Sequence, residues 1–248
     1  MTIGQNLTAE QWSKVLESTS EPKALAQRIA GGWNMPWAET LERLLDGCRS
    51  TLDLGCGKGE LSVHLARAGK QTTLFDLSET NLQFCRGLYS ELKLSGDFHQ
   101  GDMTRSLKYS DGQFDAAFSC GVFEYFTDEQ IVAILKEMFR VSKKRVVALV
   151  PNAASVAYRL GKWHLERAGR WVLGGERPFF SLKKQFHLAG YGRVREITVG
   201  GKLSLNFLQI RGGACAKRWI EKIARLTDHP RPSCFRQGYL LISTAEKN

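Results

Sequence analysis

The 248-residue chain reads as an α/β domain built on a doubly wound, mostly parallel sheet. Three observations carry that reading. Strand-length apolar runs alternate with segments of helical periodicity from about residue 50 to residue 200. The first run, Ser50 to Leu54, empties into Gly55-Cys56-Gly57-Lys58-Gly59, and helical spacing begins at once with Leu61, Leu65 and Ala68. A strand, a tight turn without bulk and a helix are thereby joined so that the helix amides face a ligand. The fifth run, Arg145 to Val150, is almost continuously apolar, as a strand covered on both faces must be.

The elements follow in order. Thr8-Ala9-Glu10-Gln11 fits a capping box ahead of Trp12, Val15 and Leu16, so a short helix is expected there, broken at Glu21-Pro22. A second N-terminal helix is expected from near Pro36 to Leu45, with Leu41, Leu44 and Leu45 apolar. Strand one is Ser50 to Leu54, and its helix follows Gly59. Strand two is Thr72 to Asp76, with Ser78 placed to cap the helix that carries Leu82, Cys85 and Leu88. Strand three is short, near Asp97 to His99, and leads to Asp102; strand four is Phe114 to Ser119. Thr127-Asp128-Glu129-Gln130 is another capping box, followed at helical spacing by Ile131, Ile134, Leu135 and Met138. Strand five ends at Pro151-Asn152. A helix at Ser181 to Ala189 and strand six at Val194 to Val199 resume the pattern, and Gly238 to Ala245 supplies a seventh strand.

Two stretches interrupt the alternation. Residues 153–180 interleave Tyr158, Trp163, Trp171, Phe179 and Phe180 with Arg159, Lys162, Arg167, Arg170 and Arg177. Residues 201–236 contain an amphipathic basic segment, with Ala216, Trp219, Ile220 and Ile223 set against Lys217, Arg218, Lys222 and Arg225. The expected organisation is a helical segment over 1–47 and one domain over 48–248, with insertions at about 153–180 and 201–236.

Composition sets bounds. An apolar fraction of 43% and 10% aromatics are globular values, and a chain of this length can bury one sizeable core. No apolar run approaches membrane-spanning length, and the first residues have neither a basic nor an apolar leader pattern, so a cytoplasmic protein without integral membrane contact is expected. Six cysteines stand singly, with no C-x-x-C pair, which favours reduced thiols and no zinc site. Charge is uneven. Residues 151–248 hold 18 Lys+Arg against 6 Asp+Glu, whereas residues 1–150 hold 17 against 19. An acidic partner for the C-terminal part is one reading, and a solvated basic surface is the other.

The glycine spacing narrows the ligand. A dinucleotide turn takes the form G-x-G-x-x-G, with pyrophosphate at the helix N-terminus. Counting from Gly55, the third glycine falls at Glu60, a poor neighbour for pyrophosphate but a tolerable one for a cation. Asp53-Leu54-Gly55-Cys56-Gly57-Lys58-Gly59 resembles the first motif of the class I S-adenosylmethionine-dependent methyltransferases. Thr72 to Ser78 resembles that family's second strand, Gly101-Asp102-Met103 its third-strand exit, and Phe114 to Cys120 its fourth strand. The resemblance covers roughly residues 48 to 200 and rests on four motifs in order. It is closest to the small-molecule members, of methyltransferase-domain types 11 and 25.

The resemblance implies a seven-stranded Rossmann-like sheet with strand seven antiparallel beside strand six. It implies S-adenosylmethionine as cofactor, held by Asp53, Gly55, Cys56, Gly57 and Gly59, by Asp76 and Leu77, by Asp102 and Met103, and by Cys120. Asp76 would accept from the ribose hydroxyls and Asp102 from the adenine amino group. Cys56 and Cys120 read as small packing residues within these motifs before they read as nucleophiles. Trp33 and Trp37 stand where relatives carry a lid over the cofactor, although tryptophans beside a helix start also serve as core. After strand four, many relatives read Val-Leu-Glu-His; this chain reads Val122-Phe123-Glu124-Tyr125, so Tyr125 takes the place of a histidine. His164, in the basic insertion, is the other candidate for acceptor chemistry, while His64 reads as structural.

These features point to methyl transfer to a small-molecule acceptor, which the basic insertion would suit if it were acidic. An RNA or tRNA methyltransferase is the alternative, on the basic and aromatic C-terminal part, but strand four is not followed by an Asn/Asp-Pro-Pro-aromatic motif. A membrane-associated lipid or quinone precursor is a further acceptor class, and a cofactor-binding protein without turnover is a different class of reading. Oligomeric state is not legible. No His/Cys/carboxylate cluster has metal-ligand spacing, so no metal is expected.

Overall fold

The computed structural model describes residues 21–171, 175–207, 231–232 and 237–247. The capping box at Thr8, the basic segment around Trp219, and Cys215, Cys234 and His229 lie outside the described residues.

Two helices, α1 (Pro22–Ala30) and α2 (Ala38–Leu44), precede strand β1 (Ser50–Leu54). Then come α3 (Glu60–Arg67), β2 (Gln71–Asp76), α4 (Glu79–Glu91), β3 (Asp97–Gln100), β4 (Phe114–Cys120), α5 (Asp128–Val141) and β5 (Ser142–Pro151). The C-terminal part supplies α6 (Val156–Arg167), α7 (Lys183–Leu188), β6 (Val194–Val199), α8 (Gly201–Asn206), β7 (Arg231–Pro232) and β8 (Leu240–Glu246). One sheet results, in the order β3-β2-β1-β4-β5-β8-β6-β7. β1 to β5 pair in parallel, and β8 runs antiparallel between β5 and β6. Six parallel strands and one antiparallel strand thus match the sequence expectation. The two-residue β7, antiparallel at the β6 edge, was not foreseen.

The sheet divides its side chains between two faces because successive strand residues point opposite ways. On β5, Val146, Ala148 and Val150 join Leu52 and Leu54 of β1 beneath α5, whose Ile131, Ile134, Leu135 and Met138 are buried. Val147 and Leu149 face the other way, with Phe118 of β4, Leu41 of α2, and Leu61 and Leu65 of α3. Each such buried Leu or Val contributes roughly 1.5–3 kcal/mol relative to exposure. The capping box that starts α5 is present in both halves: Thr127 Oγ1 accepts from Gln130 N, and Thr127 N donates to Gln130 Oε1.

α1 was not foreseen; Glu21 is extended and a helix starts at the next residue. Pro22 is the first residue of a helix there. The missing N–H costs nothing at that position and the ring pre-sets φ, so this proline opens a helix as readily as it closes one. α2 and the loop before it are tied to α3 by His64, whose Nδ1 accepts from Asn34 Nδ2 at 2.7 Å and whose Nε2 meets Glu42 Oε2 at 2.6 Å. Among the described residues no helix is long and apolar enough to cross a membrane.

Candidate functional site

The order of strands reverses at β1, which pairs with β2 on one side and β4 on the other. Open α/β sheets bind ligands at the carboxyl ends of strands flanking such a point. A cavity of about 240 Å³ opens there. Four separate chain segments line it: the loop after β1, the end of β2, the loop after β3, and the end of β4 with its 3₁₀ turn Phe123–Tyr125.

The first loop is held by β2. Gly55 N and Cys56 N both donate to Phe75 O, at 2.8 and 3.2 Å. Gly55, Gly57 and Gly59 all have φ between +54° and +76°, a region open to glycine at little cost. Gly55 carries a second demand: a Cβ there would lie 2.6 Å from Val122 Cγ2 and 3.0 Å from Met103 Cε, so a side chain would close the cavity floor. Asp76, the last residue of β2, ties the loop to the start of α4. Its Oδ2 accepts from Gly57 N at 2.9 Å, and its Oδ1 accepts from Ser78 N at 2.8 Å and from Asn81 Nδ2 at 3.2 Å. Burial pushes the Asp76 carboxyl up, and these donors oppose the shift. Leu77 follows on the cavity wall.

Asp102 and Met103 enter from the loop after β3. Asp102 Oδ1 accepts from Thr104 N at 2.9 Å and Thr104 Oγ1 at 2.6 Å, while Oδ2 lies 3.6 Å from the Arg105 guanidinium. Cys120 and Tyr125 complete the opposite wall with Gly121, Val122 and Phe126. The hydrogen bond with Cys85, followed by burial, pushes the Cys56 thiol up, and burial pushes the Cys120 thiol up, so both are neutral and unsuited as nucleophiles. Burial does the same to the Tyr125 phenol, with the Glu124 charge adding to it, so Tyr125 is a neutral hydrogen-bonding group. The lining carries Asp76, Asp102 and Glu60 against Lys58 alone, an acidic balance that suits a cationic ligand.

Four sequence candidates lie apart from the lining. Asp53 points to the α3 face of the sheet, where Oδ2 accepts from Ser62 Oγ at 2.7 Å; burial, with the charges of Asp76 and Glu60 adding, raises its pKa to about 7. Gly59 is the left-handed cap of α3 and abuts Leu74 and Cys85. Trp33 packs against the cluster beneath α1 and α4, its ring under the Arg28 guanidinium at 4.5 Å. His164 is on the exposed face of α6, away from the cavity, because the helix buries Tyr158, Gly161 and Lys162 instead. Lys162, read as a substrate-side cation, is buried too: its ammonium donates to Glu176 O at 2.7 Å and lies 3.6 Å from Glu176 Oε1.

Sequence reasoning also passed over several groups. Lys58, Asn81, Gly101, Thr104, Gly121, Val122 and Phe126 line the cavity, beside Glu60, which the glycine count had singled out. Asn81 sits one helical turn past Ser78, which was a readable signal; Thr104 and Phe126 had none. Glu124, one residue from Tyr125, is 2% exposed, and its Oε2 lacks a hydrogen-bond partner among the described residues. Burial, with the Glu176 charge adding, holds its carboxyl well above the usual carboxylate range. Among the described residues, no group of three His, Cys, Asp or Glu could hold a metal ion.

Residues 51–145 match a family model described as a methyltransferase domain. The chain is 36% identical over 119 residues to the YqeM protein of Bacillus subtilis, which carries a methyltransferase name, across 46% of each chain. It is 28% identical over 158 residues to a magnesium-protoporphyrin O-methyltransferase of Rhodobacter capsulatus, covering 62% of this chain and 68% of that one. A ubiquinone biosynthesis O-methyltransferase of a Caulobacter species is 25% identical over 162 residues, 65% of this chain and 64% of that one. The chain thus spans between about half and two thirds of the length of these relatives. Solved structures share the fold over more of the chain. A methyltransferase from Thermotoga maritima superposes with a TM-score of 0.60 at 16% identity, over 85% of this chain and 87% of that one. Another, from Archaeoglobus fulgidus, does so with 0.57 at 18%, over 92% and 95%.

Proposed function

We propose that this class I S-adenosylmethionine-dependent methyltransferase transfers the sulfonium methyl group to a small-molecule acceptor by in-line displacement. The observation that carries the reading is the meeting of the glycine loop, Asp76, Asp102 with Met103, and Cys120, from four strand ends, around one acid-lined cavity. In this reading the methionine part of the cofactor lies on the Gly55–Gly57 backbone, where Glu60 and Asp76 favour its positive charge. Asp76 would hold the ribose, and Leu77, Asp102 and Met103 would hold the adenine. Asp53, behind the loop, sets its position through Ser62 and makes no direct contact.

The acceptor enters beside Val122, Tyr125 and Phe126. When bound, the cofactor would supply the methyl group as a sulfonium carbon; the acceptor atom would take it as the carbon–sulfur bond gives its electron pair to sulfur, and a hydroxyl acceptor's proton would pass to water. Alignment supplies much of the rate in such a displacement. Tyr125, neutral and fixed in the 3₁₀ turn, would orient the acceptor by a hydrogen bond. The named activities of the relatives support oxygen as the acceptor atom. Free thiols at Cys48, Cys56, Cys85 and Cys120 support a reducing, cytoplasmic setting.

Calorimetry on the purified chain tests this. S-adenosylmethionine and S-adenosylhomocysteine should bind in the micromolar range and NAD negligibly; equal or tighter NAD binding would overturn the assignment.

A further inference from the structure

α6 presents two unlike faces. Its inner face is fixed: Tyr158, Gly161 and Lys162 are buried, and Gly161 approaches the Phe207 backbone so closely that a Cβ could not be accommodated. That contact sets the rotation of the helix. It leaves Val156, Leu160 and Trp163, at helical spacing i, i+4 and i+7, pointing outward, 58%, 54% and 53% exposed. Soluble chains rarely line up large apolar side chains this way on an outer face. Phe180, 63% exposed, joins them across a shallow hollow that Leu160 and Trp163 also line.

Cations flank the stripe. Arg159, Arg167 and Arg170 are exposed, against one acid, Glu166, and the Arg167 guanidinium lies 4.9 Å from the Trp163 ring centroid. They belong to the part of the chain that holds 18 Lys+Arg against 6 Asp+Glu. A Trp/Leu face edged by arginines is the arrangement that seats a helix at the boundary of acyl chains and anionic headgroups. We propose that this face docks the protein on an anionic lipid surface. A second copy of the chain fits less well, because self-pairing of the face would set arginine against arginine. The same segment reaches the reactive cavity: Arg177 N donates to Glu124 O, next to Tyr125. Docking therefore holds the acceptor side of the cavity near the lipid surface, and amphiphilic acceptors are the class this favours. That last clause rests on the functional reading above; the docking itself does not.

The test is flotation of the full-length chain with vesicles of phosphatidylcholine alone or mixed with phosphatidylglycerol, at physiological salt. Binding should be at least tenfold greater on the mixed vesicles. The double variant Leu160→Ser/Trp163→Ser should lower it at least tenfold, and Arg159→Glu/Arg170→Glu should abolish the preference for anionic lipid. S-adenosylhomocysteine affinity, measured on each variant, should stay unchanged and so certifies the fold. Absence of wild-type binding to mixed vesicles overturns the proposal, as does undiminished binding of the Leu160→Ser/Trp163→Ser variant. A concentration-dependent dimer that this variant abolishes also overturns it, in favour of a second copy. None of these readouts depends on turnover, so failure here leaves the methyltransferase reading standing.

Discussion

Asp76→Asn separates the binding role of this carboxylate from its structural one. A carboxylate offers about four lone-pair directions. In the structure Oδ1 takes two donors, Ser78 N and Asn81 Nδ2, while Oδ2 takes one, Gly57 N. The Leu77 backbone amide also acts on this carboxylate, so a ribose hydroxyl would share an oxygen with these donors, and one charge-assisted hydrogen bond is at stake. Such a bond is worth about 1.5–3 kcal/mol, which corresponds to roughly a 10- to 150-fold loss of affinity. The asparagine keeps the shape and one acceptor oxygen: turned toward Ser78 N and Asn81 Nδ2 it keeps α4 tied, while its amide nitrogen meets Gly57 N as donor against donor and that one bond is lost. Asp76→Ala instead strands three donors at a buried site and should cost several kcal/mol of stability at about 1–3 each. The assay is calorimetry with S-adenosylhomocysteine on wild type and Asp76→Asn, beside thermal unfolding of both. Unchanged affinity in a folded Asp76→Asn variant would refute the reasoning and place the ribose elsewhere.

Other expectations follow from the same geometry. Asp53 keeps its proton up to about pH 7 in the folded chain, against an ordinary value of 3.8, so the native state holds a proton the unfolded state has already lost across that window. Its contribution to stability is fully present below about pH 4 and is lost as pH rises through 7, a total of roughly 4 kcal/mol. Asp53→Asn should therefore gain in Tm over wild type as pH goes from 5 to 8, and a pH-independent difference would count against the assignment. Gly55→Ala should lower stability by about 1–3 kcal/mol, because its Cβ meets Val122 and Met103, and should weaken cofactor binding further; denaturant unfolding and calorimetry read the two effects. Turnover should survive EDTA, and activity lost to EDTA and restored by magnesium would contradict a metal-free site.

The sequence by itself determined the sheet and where its ligand end lies. Strands one to seven appear within a few residues of their expected bounds, because period-two and period-3.6 patterns are local properties of the chain. The glycine loop and the acids at Asp76 and Asp102 were legible for the same reason: each belongs to a short segment whose geometry follows from its own residues. Tertiary structure decided what local pattern does not encode. Asp53 and Asp76 both end apolar strand segments, yet register sends the first to Ser62 beneath the loop and the second to the cavity. Lys162 and His164 are two residues apart on one basic helix, and only the approach of α6 to Phe207 and Glu176 buries the first and exposes the second. Glu124 reads as one more surface acid until folding buries it, removes its water and pushes its carboxyl up. Which side of a helix or strand meets the core is fixed by partners distant in sequence, so the roles of those residues emerged only once the chain was folded.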